Sequence, residues 1–340
     1  MGDGMKTIKD IAKVAAVSPS TVSRVLNNSG GYSEKTKQRI LTISKQLNYQ
    51  KNEYASSLVS TQKVNVIGVI VTNAKSSFST KIIEGVEDFG YQKDARILLA
   101  HCGMSDNERL RKCIDLMLRQ NVTGIISISV QFDEDNLAYL NKFDMPLISI
   151  NVVVPGYPSI TINNYQAAYQ ATQFIIEHGH RQIALVGVKK DDLQTGYNRI
   201  DGYSKALMDH KITIDQNLII DGDFSFDSGR KSFETLLKLP KMPTAVFAAS
   251  DDTAAGIISG AYEHDYNIAG ELSIMGFDNS KISEMITPQL TTVVQPFYEM
   301  GELAVKEILD SKPEASVVLP VNIIDRGSVF KTISKYTSNN

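Results

Sequence analysis

The stretch Thr7-Ile-Lys-Asp-Ile-Ala-Lys-Val-Ala-Ala-Val-Ser-Pro-Ser-Thr-Val-Ser-Arg-Val-Leu-Asn-Asn28 is the most telling part of the chain. Ile8, Ile11, Ala12 and Ala15 recur at the i, i+3, i+4, i+7 spacing of one helical face. Ser18 is a good N-cap, and Pro19 falls at the first helical position of a second segment, where its missing N–H costs nothing. Val22, Val25 and Leu26 form the buried stripe of that segment, which leaves Ser20, Thr21, Ser23, Arg24 and Asn27 outward. Two short helices with hydroxyl groups clustered at the start of the second make the pattern of a helix-turn-helix. The second helix of that motif lies in the major groove of DNA. A third helix is expected from Ser33 to Leu47, capped by Ser33, with Ile40, Leu41, Ile43, Ser44 and Leu47 inward.

Charge supports a DNA-facing head. Residues 1–63 hold ten Lys or Arg against four Asp or Glu, net +6, while the whole chain carries −3, so the other 277 residues carry −9. A basic head can meet phosphates while an acidic body stays off the duplex. Between the two, residues 48–62 are too few to bury a core. Asn52 is placed to cap a two-turn helix ending near Ser60. Such a helix falls short of the ~12–15 residues needed for stability alone. It is read as a linker that DNA or a partner chain orders.

At 340 residues, with 42% hydrophobic and 21% charged residues, the chain has ordinary globular composition and length for two or three domains. From Val64 onward, short apolar runs alternate with amphipathic helical segments. Strands are expected at 66–71, 96–100, 124–130, 146–150, 182–187, 217–220, 244–249, 272–277 and 290–294. Helices lie between them, among them 165–178, 202–210, 228–239, 253–265 and 299–309. This α/β alternation predicts parallel sheets covered by helices, with too many strands for one sheet, hence two similar lobes. Ligands bind such folds at the carboxyl ends of strands, here in the cleft between lobes.

Other classes find little support. Cys102 and Cys113 form neither a disulfide framework nor a metal-ligand spacing, as expected of a reduced, cytoplasmic protein. No apolar leader precedes the first helix and the longest apolar runs are strand-length, so a soluble chain without membrane contact is expected. Glu177-His-Gly-His180 reads as a helix end with Gly179 at C′ rather than as a metal site. No metal and no cofactor are expected. The chain lacks a Gly-x-Ser-x-Gly elbow, a phosphate-cradling loop ending in Lys-Ser/Thr and a His-Glu-x-x-His motif, so it is not expected to be an enzyme. Residues 331–340 lack the heptad leucines of a coiled coil.

The opening block resembles the DNA-reading head of the LacI/GalR (lac repressor) family of bacterial transcription regulators. Further matches follow in family order: Leu47-Asn-Tyr49, Gly179-His-Arg-Gln-Ile-Ala184, Asp221-Gly-Asp-Phe224, Ser250-Asp251 with Gly256, Gly276-Phe-Asp-Asn279, and Leu290-Thr-Thr-Val-Val-Gln-Pro296. The resemblance covers nearly the whole chain. It implies an all-α helix-turn-helix head on a two-lobed body like periplasmic sugar-binding proteins, working as a homodimer on a roughly palindromic operator. The implied division is a head at 1–50, a hinge at 51–63 and a body at 64–340. Lobe 1 would take about 64–163 with 295–324, and lobe 2 about 164–294 with 325–340.

Position by position, the resemblance places Ser18, Ser20, Thr21, Ser23 and Arg24 in the major-groove reader and Thr7 and Asn27 against the DNA backbone. It places Leu58 as a minor-groove wedge, with Ala55 as the small residue beside it; the unstacking that a wedge requires is recovered through the contacts of a kinked duplex. The hinge departs from the family pattern at Lys51, Tyr54 and Ser56.

For a small-molecule effector the resemblance points to Asn151, Arg199, Phe224, Ser250, Asp251 and Asp278. A guanidinium can donate paired hydrogen bonds to neighbouring hydroxyls, carboxylate and amide oxygens accept from hydroxyls, and an aromatic face suits a sugar ring or a purine. Asn151 and Ser250 stand where many sugar-responsive members carry an acid and Asn. The implied function is a transcriptional repressor controlled by a sugar or sugar derivative. An alternative is a catabolite-control regulator whose co-effector is a phosphorylated carrier protein, which the stretch from Gly276 to Pro296 also resembles. A sugar-transport receptor would share the body but carry no DNA head.

Overall fold

A computed structural model of the chain describes residues 7–26, 29–47, 65–72, 77–266, 268, 270–310 and 316–332. It divides into two compact units, residues 1–64 and 65–340. The expected hinge at 51–63, with Lys51, Tyr54, Ala55, Ser56 and Leu58, lies outside the described residues, as does Asn27.

The described residues of the first unit form three helices: α1 (Ile8–Ala15), α2 (Pro19–Leu26) and α3 (Glu34–Gln46). Ile11, Ala12, Ala15, Val22, Val25, Ile40 and Ile43 form its core, with Ile8, Val17, Leu26, Tyr32 and Leu47 packed against them. Ser33 caps α3 by accepting a hydrogen bond from Thr36 N–H. Leu41 was expected inward but is 39% exposed. The buried stripe of α3 follows Ile40, Ile43 and Leu47, and a residue next to Ile40 is turned about 100° off that stripe.

The second unit holds two six-stranded sheets. Lobe 1 contains β1 (Val66–Val71), β2 (Arg96–His101), β3 (Gly124–Ile128), β4 (Leu147–Ile150), β5 (Ser159–Ile162) and β11 (Val317–Leu319), in the order β11-β5-β4-β3-β1-β2. Every neighbouring pair in it is parallel. Lobe 2 contains β6 (Ile183–Val188), β7 (Ile219–Asp221), β8 (Ala245–Ala248), β9 (Ser273–Asp278), β10 (Thr291–Val294) and β12 (Asn322–Ile324), in the order β12-β10-β9-β8-β6-β7. Among the described strands of this lobe, only the β10–β12 pair is antiparallel.

The remaining helices of the described residues are α4 (Ser77–Gln92), α5 (Asn107–Arg119), α6 (Glu134–Asn141), α7 (Asn164–Glu177), α8 (Gly196–Asp209), α9 (Phe226–Leu237), α10 (Asp251–Glu263), α11 (Ile282–Met285) and α12 (Phe297–Leu309). On one face of lobe 1, Ile70, Ile125 and Leu147 pack with Ile114 and Met117 of α5. On one face of lobe 2, Val186, Val246 and Ile274 pack with Phe233 of α9 and Ile257 of α10. A third cluster joins the other faces, with Ile126 and Ile148 of one sheet, Leu185 and Phe247 of the other, and residues of α7 and α12. Helix pairs meet at glycines. A Cβ on Gly256 of α10 would lie 2.0 Å from the Phe226 carbonyl oxygen, and one on Gly85 of α4 would lie 2.1 Å from that of Tyr298.

The chain passes between lobes after β5, after β10 and between β11 and β12. The third passage falls at residues 320–321, ahead of the expected 324, because Asn322–Ile324 already pairs with β10. Three strands that apolar runs did not mark, β5, β11 and β12, are only three or four residues long. Helix α8 begins at Gly196, six residues before the expected 202.

Candidate functional site

Two sites emerge, one in each unit. In the head, Thr7 caps α1 through a capping box: its hydroxyl accepts from Asp10 N–H, and its own backbone N–H donates to Asp10 Oδ2 at 2.8 Å. Ser18 Oγ accepts from Thr21 N–H at 3.2 Å and lies 2.7 Å from Ser20 Oγ and 2.8 Å from Thr21 Oγ1. Ser18, Ser20 and Arg24 are exposed, while Thr21 and Ser23 are half-buried. The hydroxyls thus cluster at the start of α2 on the side away from Val22 and Val25. Hydroxyls at a helix start and a guanidinium in its last turn can contact base edges and phosphates.

In the body, five of the six expected effector residues gather at the carboxyl ends of β6, β8 and β9. Arg199, on α8, is 5% exposed. Its Nε donates to Asn164 Oδ1 at 3.0 Å, and its Nη1 donates to the carbonyl of Ala249, just after β8. The guanidinium carbon sits 3.6 Å from the Phe277 ring centroid and 5.7 Å from that of Phe224. Ser250 caps α10, and its Oγ donates to the Phe224 carbonyl at 2.6 Å. Fully buried Asp251 accepts from Ser280 N–H at 2.6 Å, Ser280 Oγ at 3.1 Å and Thr292 Oγ1 at 2.6 Å. Asp278 ends β9 half-buried and accepts from Gln295 Nε2 at 2.6 Å.

This cluster sits where lobe 2 reverses its winding, between β6 and β8, which is where open α/β sheets bind ligands. Burial lowers the Arg199 pKa to about 10, opposed by the fields of Asp278 and Asp192, so the guanidinium stays charged at neutral pH. Burial pushes the Asp251 carboxyl up to about 6 against the hydrogen bonds it accepts. Asp278 rises well above its ordinary range through burial and the nearby Asp251 carboxylate, with Arg199 and Gln295 opposing.

Backbone strain collects at the same place. Phe224 and Asp278 have φ of 63° and 125°. An aromatic residue at positive φ is a true outlier, and such conformations persist only where surrounding contacts over-determine them. Phe224 is held at both ends: its N–H donates to the Gly187 carbonyl at 3.0 Å, and its carbonyl accepts from Ser250.

Asn151 lies apart from this cluster, after β4 in lobe 1, with its Nδ2 donating to Ser129 Oγ at 3.4 Å. It lines a cavity of about 310 Å³ between the lobes, together with Thr161, Asn163, Asn164, Gln194 and Asn198 among others. Among the described residues, the polar lining is amide and hydroxyl. Asn164 links the two regions, because it faces the cavity and accepts from Arg199.

Asn164, Phe277, Gln295 and Gln194 were not singled out from the sequence. Phe277 and Gln295 stand inside the blocks Gly276–Asn279 and Leu290–Pro296, and a signal for them was therefore present. For Asn164 and Gln194 none was, since their partners lie 35 and 41 residues away along the chain. His178 and His180 are occupied structurally. The first places Nδ1 2.8 Å from the Phe174 carbonyl, and the second lies between Thr244 Oγ1 and the Phe330 carbonyl at 3.0 Å each. Among the described residues, no group of three His, Cys, Asp or Glu is placed to hold a metal ion. Cys102 and Cys113 are both free and buried. No helix among the described residues is long and apolar enough to cross a membrane.

Residues 7–52 match the family profile of bacterial regulatory proteins, lacI family, and residues 172–329 match a periplasmic binding protein-like domain. Catabolite control protein A of Priestia megaterium is 34% identical over 302 residues, which span 88% of this chain and 90% of that protein. The chain belongs to the lacI family of bacterial regulatory proteins. Its fold is that of the lac repressor dimer solved with operator and the anti-inducer ONPF. That structure has a TM-score of 0.81 and 25% identity, covering 96% of this chain and 99% of the other. The regulator CelR in complex with cellobiose has a TM-score of 0.70 and 26% identity, covering 95% and 99%. These relatives are transcriptional regulators, not enzymes.

Proposed function

We propose that this lacI-family regulator is a cytoplasmic, homodimeric repressor that binds operator DNA and is controlled by a sugar or sugar derivative in the cleft between its lobes. The observation that carries the effector reading is Arg199. It is a buried, charged guanidinium at the winding switch of lobe 2, stacked on Phe277 and adjoining a cavity whose described polar lining is amide and hydroxyl. Nη2 donates to none of the described residues, and so one edge of the fork remains for a ligand hydroxyl. Phe224 offers a ring face, and Ser250, Asp251, Asp278 and Asn151 complete the proposed set. The cellobiose complex of CelR supports this ligand class.

For DNA, Ser18, Ser20, Thr21, Ser23 and Arg24 form the proposed reading surface, flanked by Thr7 and Asn27, with Ala55 and Leu58 in a hinge at 51–63 joining a head at 1–50 to a body at 64–340. The operator complex of the lac repressor supports this arrangement. The effector acts by binding one lobe arrangement better than the other, and by linkage operator must then weaken or strengthen effector binding by the same factor.

The test is a thermal-shift panel of neutral sugars, sugar phosphates and purines on the full chain. A ligand at 100 times its Kd stabilises by about 2.7 kcal/mol. A selective sugar hit that also changes operator affinity supports the proposal; a purine hit replaces the ligand class. Silence across the panel favours the second reading, a catabolite-control regulator answering to a phosphorylated carrier protein. The 34% identity to catabolite control protein A speaks for that reading.

A further inference from the structure

One side chain ties the lobes together across the mouth of the cleft. Gln194, in the loop entering α8 of lobe 2, accepts from Val153 N–H at 2.6 Å and donates from Nε2 to the Val153 carbonyl at 3.2 Å. Val153 belongs to the loop that leaves β4 of lobe 1. A single carboxamide thus satisfies both backbone groups of one residue on the opposite lobe, in the geometry of a strand pair.

Both sides of this contact are braced. Asp192 Oδ1 accepts from the N–H groups of Gln194 and Thr195 at 3.1 Å each, and Asn198 Nδ2 donates to the Gln194 carbonyl at 2.8 Å. On the facing loop, Val152 and Val154 are 8% and 2% exposed while Val153 is 52% exposed. Two buried neighbours therefore fix the strip of backbone that Gln194 grips. Gln194 and Val153 also line the 310 Å³ cavity.

We propose that Gln194 is a latch that holds the two lobes together at the rim of the cleft and thereby sets the clearance between the cavity walls. It acts as a positioning residue through Val153. Two neutral hydrogen bonds at a half-exposed rim contribute modestly, which lets them form and break without unfolding either lobe. Only the significance for effector entry rests on the proposed function; the contact itself depends on the two loops alone.

The chain contains no tryptophan, and the latch uses only the backbone of residue 153. Val153→Trp therefore supplies a single fluorescent reporter on the rim of the full chain. In that background Gln194→Ala should raise acrylamide quenching about twofold without ligand, with the melting curve unchanged. Gln194→Glu supplies the rescue, since its carboxylate can accept from the N–H but repels the carbonyl, whereas a protonated carboxyl restores both bonds. Quenching in the Glu variant should be high at pH 7.5 and fall back as pH drops toward its pKa, near 4.3 or above. The Ala variant should show no recovery. The other ionisable groups on the two loops, Lys189, Lys190, Asp191, Asp192 and Tyr157, are common to every variant and cancel in the comparison. Equal quenching in the Gln and Ala proteins, or no recovery in the Glu protein, would overturn the latch. A panel silent for every ligand would overturn the effector reading and leave the quenching result standing.

Discussion

Replacing Arg199 tests whether the guanidinium supports the body as well as the cleft. Arg199→Ala removes the donors to Asn164 Oδ1 and the Ala249 carbonyl and the stack on Phe277. Each acceptor left without its donor costs about 1–3 kcal/mol, and a desolvated guanidinium–aromatic contact is worth about 2 kcal/mol. Against this, the variant no longer buries a charge. The drop in the Arg199 pKa from 12.5 to about 10 corresponds to about 3 kcal/mol recovered. The balance is a loss of about 3 kcal/mol, or roughly 6–12 °C in Tm for a body of this size. Arg199→Lys should recover less than half, because a point ammonium cannot make two fork-shaped bonds and a stack together. Thermal and urea unfolding of the full chain by circular dichroism, alongside operator binding, provide the assay. If the Ala variant melts within about 1 °C of the wild type, or Lys restores it fully, the network around the guanidinium does not carry the body. Operator affinity of the folded Ala variant should remain intact.

Three further outcomes are expected. Because Asp251 titrates higher in the folded chain than in the unfolded one, the stability it gives is complete below about 3.8 and is lost as pH rises to about 6. Asp251→Asn should flatten that part of the stability profile, and urea midpoints at pH 4.5 and 6.5 that shift as in the wild type would contradict the assignment. Gly256→Ala should destabilise by about 1–3 kcal/mol, since its methyl group would meet the Phe226 carbonyl oxygen at 2.0 Å and force α9 and α10 apart. An unchanged Tm would mean that the pair has slack. Thr7→Ala, which removes one half of the capping box, should cost the head about 1 kcal/mol, visible as faster amide exchange along α1 with the body unaffected.

Periodicity and capping residues made the head legible: Ser18 and Ser33 act within a few residues of themselves, so local sequence contains the whole interaction. The apolar runs of β1, β3 and β6 were equally plain, since strands covered on both faces are continuously apolar. Short edge strands were not. Val317–Leu319 and Asn322–Ile324 are held by partners at least 28 residues away (Asn322 less Val294) rather than by their own pattern. The site divided in the same way. The residue types of Arg199, Asp278 and Phe224 were visible in the chain. That Arg199 is stacked on Phe277 and bound to Asn164 follows from tertiary packing, as does the grip of Gln194 on Val153.

The three passages between lobes have a consequence for how the protein is made. A ribosome delivers β1 to β5 early, yet α12, which packs on α4, and β11, which extends that sheet beside β5, emerge only after nearly all of lobe 2. Lobe 1 must therefore wait for most of the synthesis with apolar residues such as Ile82 and Val86 of α4 lacking the helix that covers them. Domains that close late in translation expose sticky surface meanwhile. A message that stops between β10 and residue 297 yields two lobes of which neither is whole, and a nascent chain held there is where a chaperone would find its target.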